Sequence, residues 1–176
     1  MELAEARALF EPDGVYLNTA SYGLPPRPAW DELQTVLDQW RHGKTSWEPW
    51  GEATGRARAA FARLVGVAED DVAEGASVSQ LLGLVAASLP EGTRVLVPEG
   101  DFTSLLFPFL AQAGRGIEVA TAPLERLADA VTPETDVVAA SLVQSANGFV
   151  LDLDAVFEAT RASDALVVID ATQACG

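Results

Sequence analysis

The chain has 176 residues, nearly half of them hydrophobic, and a formal net charge of −15. That is long and apolar enough to bury a core, and it argues against wholesale disorder. The acidity argues against nucleic acid or an anionic membrane surface as partner, because both need clustered Lys and Arg; its plainest reading is solubility.

In chain order, Met1 to Gly14 is acidic and too polar for a signal peptide. Val15 to Asn18 reads as a short extended piece, and SYGLPPRP as a loop punctuated by Gly23, Pro25, Pro26 and Pro28. A helix is predicted from Pro28 to about Trp40, with Ala29, Leu33, Val36, Leu37 and Trp40 on one stripe. A second helix is predicted from about Gly51 to Leu64. Residues 1–65 thus form an N-terminal helical segment, expected to pack on the rest of the chain, with no linker between.

From Val72 the pattern becomes regular. ASVSQLLGLVAASL reads as a helix and RVLVP (94–98) as a strand. TSLLFPFLAQAG reads as a helix with Pro108 near its first turn, GIEVATAP as a strand, and LERLADAV as a helix. DVVAASLV (136–143) reads as a strand, DLDAVFEATRAS as a helix started by Asp152 or Asp154, and ALVVID as the last strand. Strands apolar on both faces that alternate with helices indicate an α/β fold with a mostly parallel sheet flanked by helices. The longest apolar stretch, Leu81 to Leu89, is too short to span a bilayer. A single cysteine, Cys175, rules out a disulfide within the chain and a Cys-based zinc site, and fits a reducing cytoplasm. Asp170 has no histidine near it in sequence, so no metal is expected.

Ligands of such sheets bind outside the carboxyl ends of the strands, so the strand-to-helix loops hold the candidates. Glu74 to Gln80 (EGASVSQ) offers free backbone N–H groups and hydroxyls at a helix start, which suits a phosphate; it is also what an ordinary Ser N-cap looks like. In EGDFTS, Phe102 could lie on a planar ligand or pack in the core, and Asp101 or Thr103 could cap the next helix. In LVQSANGF, Gln144, Ser145 and Asn147 could bond a ligand, or Asn147 and Gly148 could simply make a turn. Asp170 ends the VVI strand, where a carboxylate needs a cap, a metal or a cationic ligand.

Taken together, YLNTASYGLPPR, GASVS, DFTSLLFPF, SLVQSANG and VVIDATQACG resemble, in that order, the class V aminotransferase-like family of pyridoxal phosphate (PLP) enzymes. The last motif, D-x-x-Q, is the most specific. The resemblance implies fold type I, with residues 66–176 as part of the PLP-binding large domain. It implies that Asp170 pairs with the pyridine nitrogen and Gln173 reaches the phenolic oxygen. Ser77, with the N–H groups of Ala76 and Val78, would hold the phosphate, and Phe102 would stack on the ring. Gln144, Ser145 and Asn147 would line the cofactor from the strand exit. Desulfurases of the family place histidine where Phe102 and Leu142 stand, so this chain is more similar to the kynureninase-like and epimerase-like branches.

The family's Schiff-base lysine lies beyond the glutamine, whereas the one lysine here, Lys44, precedes every motif. The expectation is therefore an N-terminal portion of a longer, homodimeric, cytoplasmic enzyme. That enzyme would act on an amino acid or amine through an external aldimine; this portion would be inactive alone, poorly stable, and open at the edge of Val167 to Ile169. The alternatives are a catalytically dead remnant serving as a binding or scaffolding module, or an unrelated nucleotide-binding domain. The latter is weakened because no G-x-G-x-x-G follows the first strand.

Overall fold

The computed structural model describes residues 2–175. The chain divides into two compact units, Met1–Ala60 and Phe61–Gly176.

The first unit is helical. Its short helix α1 (Leu3–Arg7) is closed by a capping box between Glu2 and Glu5. Arg27 ties the start of α2 (Arg27–Arg41) to the end of α1: its guanidinium donates to Ala8 O at 2.6 Å, and its backbone N–H donates to Leu9 O at 2.8 Å. The predicted stripe on α2 exists, but none of its residues is buried; Val36 is half-buried and Ala29, Leu33, Leu37 and Trp40 are exposed. Val15 to Asn18 forms no strand. Lys44 is exposed in the turn after α2. α3 (Glu48–Val65) crosses from the first unit into the second.

The second unit is a four-stranded parallel sheet in the order β2-β1-β3-β4. Its strands are β1 (Arg94–Pro98), β2 (Glu118–Ala122), β3 (Val137–Ser141) and β4 (Leu166–Asp170). The helices are α4 (Val78–Ser88), α5 (Thr103–Leu110) and α6 (Leu153–Thr160). The period-two geometry of a strand sorts its side chains between two faces. Val95, Val97, Val137 and Ala139 pack with Leu82, Ala86, Leu105 and Phe109 of α4 and α5. Leu96, Val138 and Ala140 pack on the other face with Val156 of α6 and with Leu124, Leu127 and Leu151. Burial on both faces is why these strands read as continuous apolar runs.

Four local expectations are corrected. LERLADAV is not an α-helix but two 3-10 turns, Leu124–Arg126 and Ala128–Ala130. In 3-10 geometry residues three apart eclipse, which sends both Leu124 and Leu127 into the core. Pro108 lies well inside α5 rather than in its first turn; it is buried, and the helix ends two residues later at Leu110. Neither Asp101 nor Thr103 caps α5, whose N-cap position is Phe102 without a side-chain cap bond. β3 also stops at Ser141, two residues short of the predicted end.

α4 is closed at its carboxyl end by Arg115, which donates to Ala87 O at 2.9 Å and to Leu89 O at 2.6 Å. A guanidinium there satisfies carbonyls that no helical N–H can reach. Replacing Phe109, fully buried beneath α4 and the sheet, by Ala should cost about 3–5 kcal/mol of stability, measured by urea unfolding of the chain. A loss below about 1 kcal/mol would contradict this packing.

Candidate functional site

Parallel strands all end on one side of a sheet. β1, β3 and β4 are adjacent, so the loops after Pro98, Ser141 and Asp170 leave from the same edge. α4 returns to β1 through the short segment 89–93, so it runs against the strand and its first residue faces the same edge. The fold therefore brings Ser77, Phe102, Gln144 and Asp170 to the carboxyl side of one sheet, as expected from their order in the sequence.

Asp170 closes β4, in register with Ser141 of β3, and its carbonyl accepts from Leu142 N at 3.0 Å. Its side chain is half-buried rather than fully desolvated. Oδ1 accepts from Thr172 N at 2.9 Å and starts the turn that carries Gln173. Oδ2 accepts no hydrogen bond among the described residues. The carboxylate thus organises its own turn with one oxygen and has the other available.

Ser77 is the N-cap of α4, its Oγ accepting from Gln80 N at 3.2 Å. Ala76 N–H is not open, because Gln80 Oε1 accepts it at 2.6 Å. Gln80 was not singled out from sequence, although Ser-x-x-Gln is the spacing at which such reciprocal capping occurs. Val78 and Ser79 begin the helix and have no intrahelical acceptor for their N–H groups. Gly75 leaves little room beside it: a Cβ there would lie 2.6 Å from Leu81 Cδ2.

Phe102 is 52% exposed, so it is not a core residue. The loop 142–151 folds back on itself. Gln144 N donates to Phe149 O and Gly148 N to Gln144 O, both at 2.8 Å, and Leu151 N to Leu142 O at 2.9 Å. Asn147 Oδ1 accepts from Phe149 N at 2.9 Å and Gly148 has φ +73°, so these two residues do make the turn. Ser145 is exposed. Gln144 is buried at the loop's base, and its Oε1 has no hydrogen-bond partner. A buried acceptor left unmatched costs on the order of 1–3 kcal/mol, which a donor supplied by a ligand would recover.

Asp101 plays a part that the sequence did not disclose. It is buried and accepts from Ser141 N at 2.8 Å and from Ser141 Oγ at 2.6 Å, as well as from Phe102 N at 2.6 Å. The partner lies 40 residues away, and no local signal marks it. Among the described residues, no group of His, Cys, Asp and Glu could hold a metal ion. No helix of theirs is long and apolar enough to cross a membrane.

These features define a parallel α/β unit with an anion-suited helix start, an exposed aromatic and a strand-end carboxylate on one edge. The family model of class V aminotransferases matches residues 42–176, and the chain belongs to that family, whose members are PLP-dependent enzymes. It is 30% identical over 190 residues to a kynureninase of Deinococcus radiodurans, covering 99% of this chain and 46% of that protein. It is 28% identical over 167 residues to the uncharacterised aminotransferase YcbU of Bacillus subtilis, covering 91% of this chain and 45% of that protein. The chain spans about half the length of these curated relatives. Among solved structures, a mutant of the C-DES protein with glycine covalently linked to its PLP cofactor superposes with a TM-score of 0.81 at 19% identity. That match covers 99% of this chain and 50% of the other. A cysteine desulfurase of Escherichia coli gives 0.77 at 20%, again over 99% of this chain and 50% of the other. These two likenesses establish the fold as that of the fold type I large domain.

Ser77→Ala should cost about 1 kcal/mol of stability, the usual worth of an N-cap hydroxyl, read from the urea midpoint at unchanged slope.

Proposed function

We propose that the second compact unit is the PLP-binding part of an enzyme that acts on an amino acid or amine. The observation that carries this reading is Asp170: a carboxylate at the end of β4, in register with Ser141, with one oxygen committed to its turn and the other available. The residues present fit the cofactor. Gln144 offers a buried acceptor without a donor, and α4 offers N–H groups without acceptors.

When bound, PLP supplies an electron sink for charge developing at a substrate's alpha carbon. Asp170 would hold a proton on the ring nitrogen, because a nearby carboxylate favours the protonated, cationic form. Ser77 Oγ, whose own proton is free to donate, and Val78 N–H would bind the phosphate at the positive end of α4. Ala76 N–H would join them once the Gln80 side chain is displaced. Phe102 would cover the ring face. Gln173 would reach the phenolic oxygen, and Gln144 with Ser145 and Asn147 would border the ring from the loop after β3.

Phe102 carries no titratable group. Acid–base work at that position, as in the histidine-bearing desulfurases, is therefore unavailable, and the reading leans to the kynureninase-like branch. The kynureninase relative supports this. Transamination, C–S or C–C lysis and epimerisation all remain reactions of this one site. The one lysine, Lys44, belongs to the other compact unit, so the reading is of a stretch that binds cofactor without attaching it covalently. It extends to a homodimeric enzyme of the cytoplasm.

The test is a PLP titration of the chain followed by absorbance. Asp170→Asn should weaken binding about tenfold or more, the loss expected when a charge-assisted hydrogen bond becomes a neutral one. Equal affinity in the variant would overturn the assignment. Lys44→Arg should leave the affinity unchanged; a large loss there would move the site to the first unit.

A further inference from the structure

We propose that Asp101 is a positioning residue that sets where Phe102 stands relative to Asp170, an inference that rests on the functional reading just given. β1 and β3 pair only at Val95↔Val137 and Leu96↔Val138. Further along, β1 reaches Pro98, which has no N–H to offer, and the ladder ends. Ser141 lies beyond the paired positions, and its N–H takes a side-chain acceptor in place of a β1 carbonyl. Asp101 Oδ2 takes it at 2.8 Å, and Oδ1 takes the Ser141 hydroxyl at 2.6 Å. One buried carboxylate replaces the missing end of the β1–β3 ladder.

The same Oδ1 accepts from Phe102 N at 2.6 Å. The side chain of Phe102 is half-exposed and no core cluster includes it, so its backbone decides where the ring sits. On its other side Ser141 is in register with Asp170. A continuous chain of short-range constraints therefore runs from Phe102 through Asp101 and Ser141 to Asp170. Its ends are the group that would cover the ring and the group that would hold its nitrogen. Charge suits the middle of this chain: a buried carboxylate accepts three donors at once, whereas an amide of the same shape turns one donor toward them.

The experiment uses the 176-residue chain with PLP as probe. It compares Asp101→Asn with Thr93→Val, which removes a buried hydroxyl bond to Pro90 O at the opposite end of β1. Asp101→Asn should keep the far-UV circular dichroism, weaken PLP binding about tenfold and diminish the visible dichroism of the bound cofactor. Thr93→Val should leave affinity within about twofold even at matched loss of melting temperature. Equal affinity in Asp101→Asn and wild type would overturn the proposal, as would affinity that falls equally in both variants. Should Asp101→Asn not fold, Ser141→Ala, which removes only the hydroxyl bond, carries the same comparison with a severalfold loss expected.

A wild-type chain that does not bind PLP would contradict the functional reading instead. Positioning is then read from amide hydrogen exchange. Asp101→Asn should speed exchange at Phe102 and across 142–149 while the centres of β1 and β3 stay protected. No local change there would overturn the proposal by itself.

Discussion

The arrangement depends on the burial of β3. All five of its residues, Val137–Ser141, are out of water, pressed by α4 and α5 on one face and by α6 and the 3-10 turns on the other. A strand covered on both faces has its register fixed, because a slip of one residue would exchange its two side-chain sets. Fixing β3 fixes Ser141, and Ser141 is the hub of the carboxyl edge. It is in register with Asp170 on one side and is gripped by Asp101 on the other. Position at this edge follows from core packing several residues away.

The division of labour at the edge is also physical. Groups that hold the frame are buried and saturated: Asp101 accepts three hydrogen bonds. Groups suited to a ligand are exposed or unsaturated: Phe102 projects, Gln144 Oε1 lacks a donor, and the first N–H groups of α4 lack acceptors. Gln80 shows how the unliganded state limits its own cost, since its amide oxygen occupies one donor of the phosphate-suited turn. An anion binding there has to outcompete a neutral oxygen, and a charged acceptor on backbone N–H groups does so readily.

Much of this was legible in the sequence because it is local. VVID carries the strand and its terminal charge, and Ser77 carries the start of α4. Apolar runs with no alternation announce a sheet covered on both faces. What was not legible is non-local. Asp101 read, with Thr103, as one of two possible caps for α5, and only the fold reveals Ser141 within its reach. LERLADAV read as a helix from its spacing, but the core needed Leu124 and Leu127 on one line, which 3-10 turns provide. The apolar stripe of α2 was found correctly, yet pattern alone could not say that it is uncovered among the described residues. Asn147 and Gly148 took the turn role that was one of their two readings.

The central claim is that Asp170 holds the proton of a bound pyridine nitrogen. The direct measurement is the nitrogen-15 chemical shift of ring-labelled PLP bound to this chain at neutral pH. The account predicts a shift in the pyridinium range for the wild type and one moved toward neutral pyridine for Asp170→Asn. A neutral ring nitrogen in the wild type, or an unchanged pyridinium shift in the variant, would contradict it.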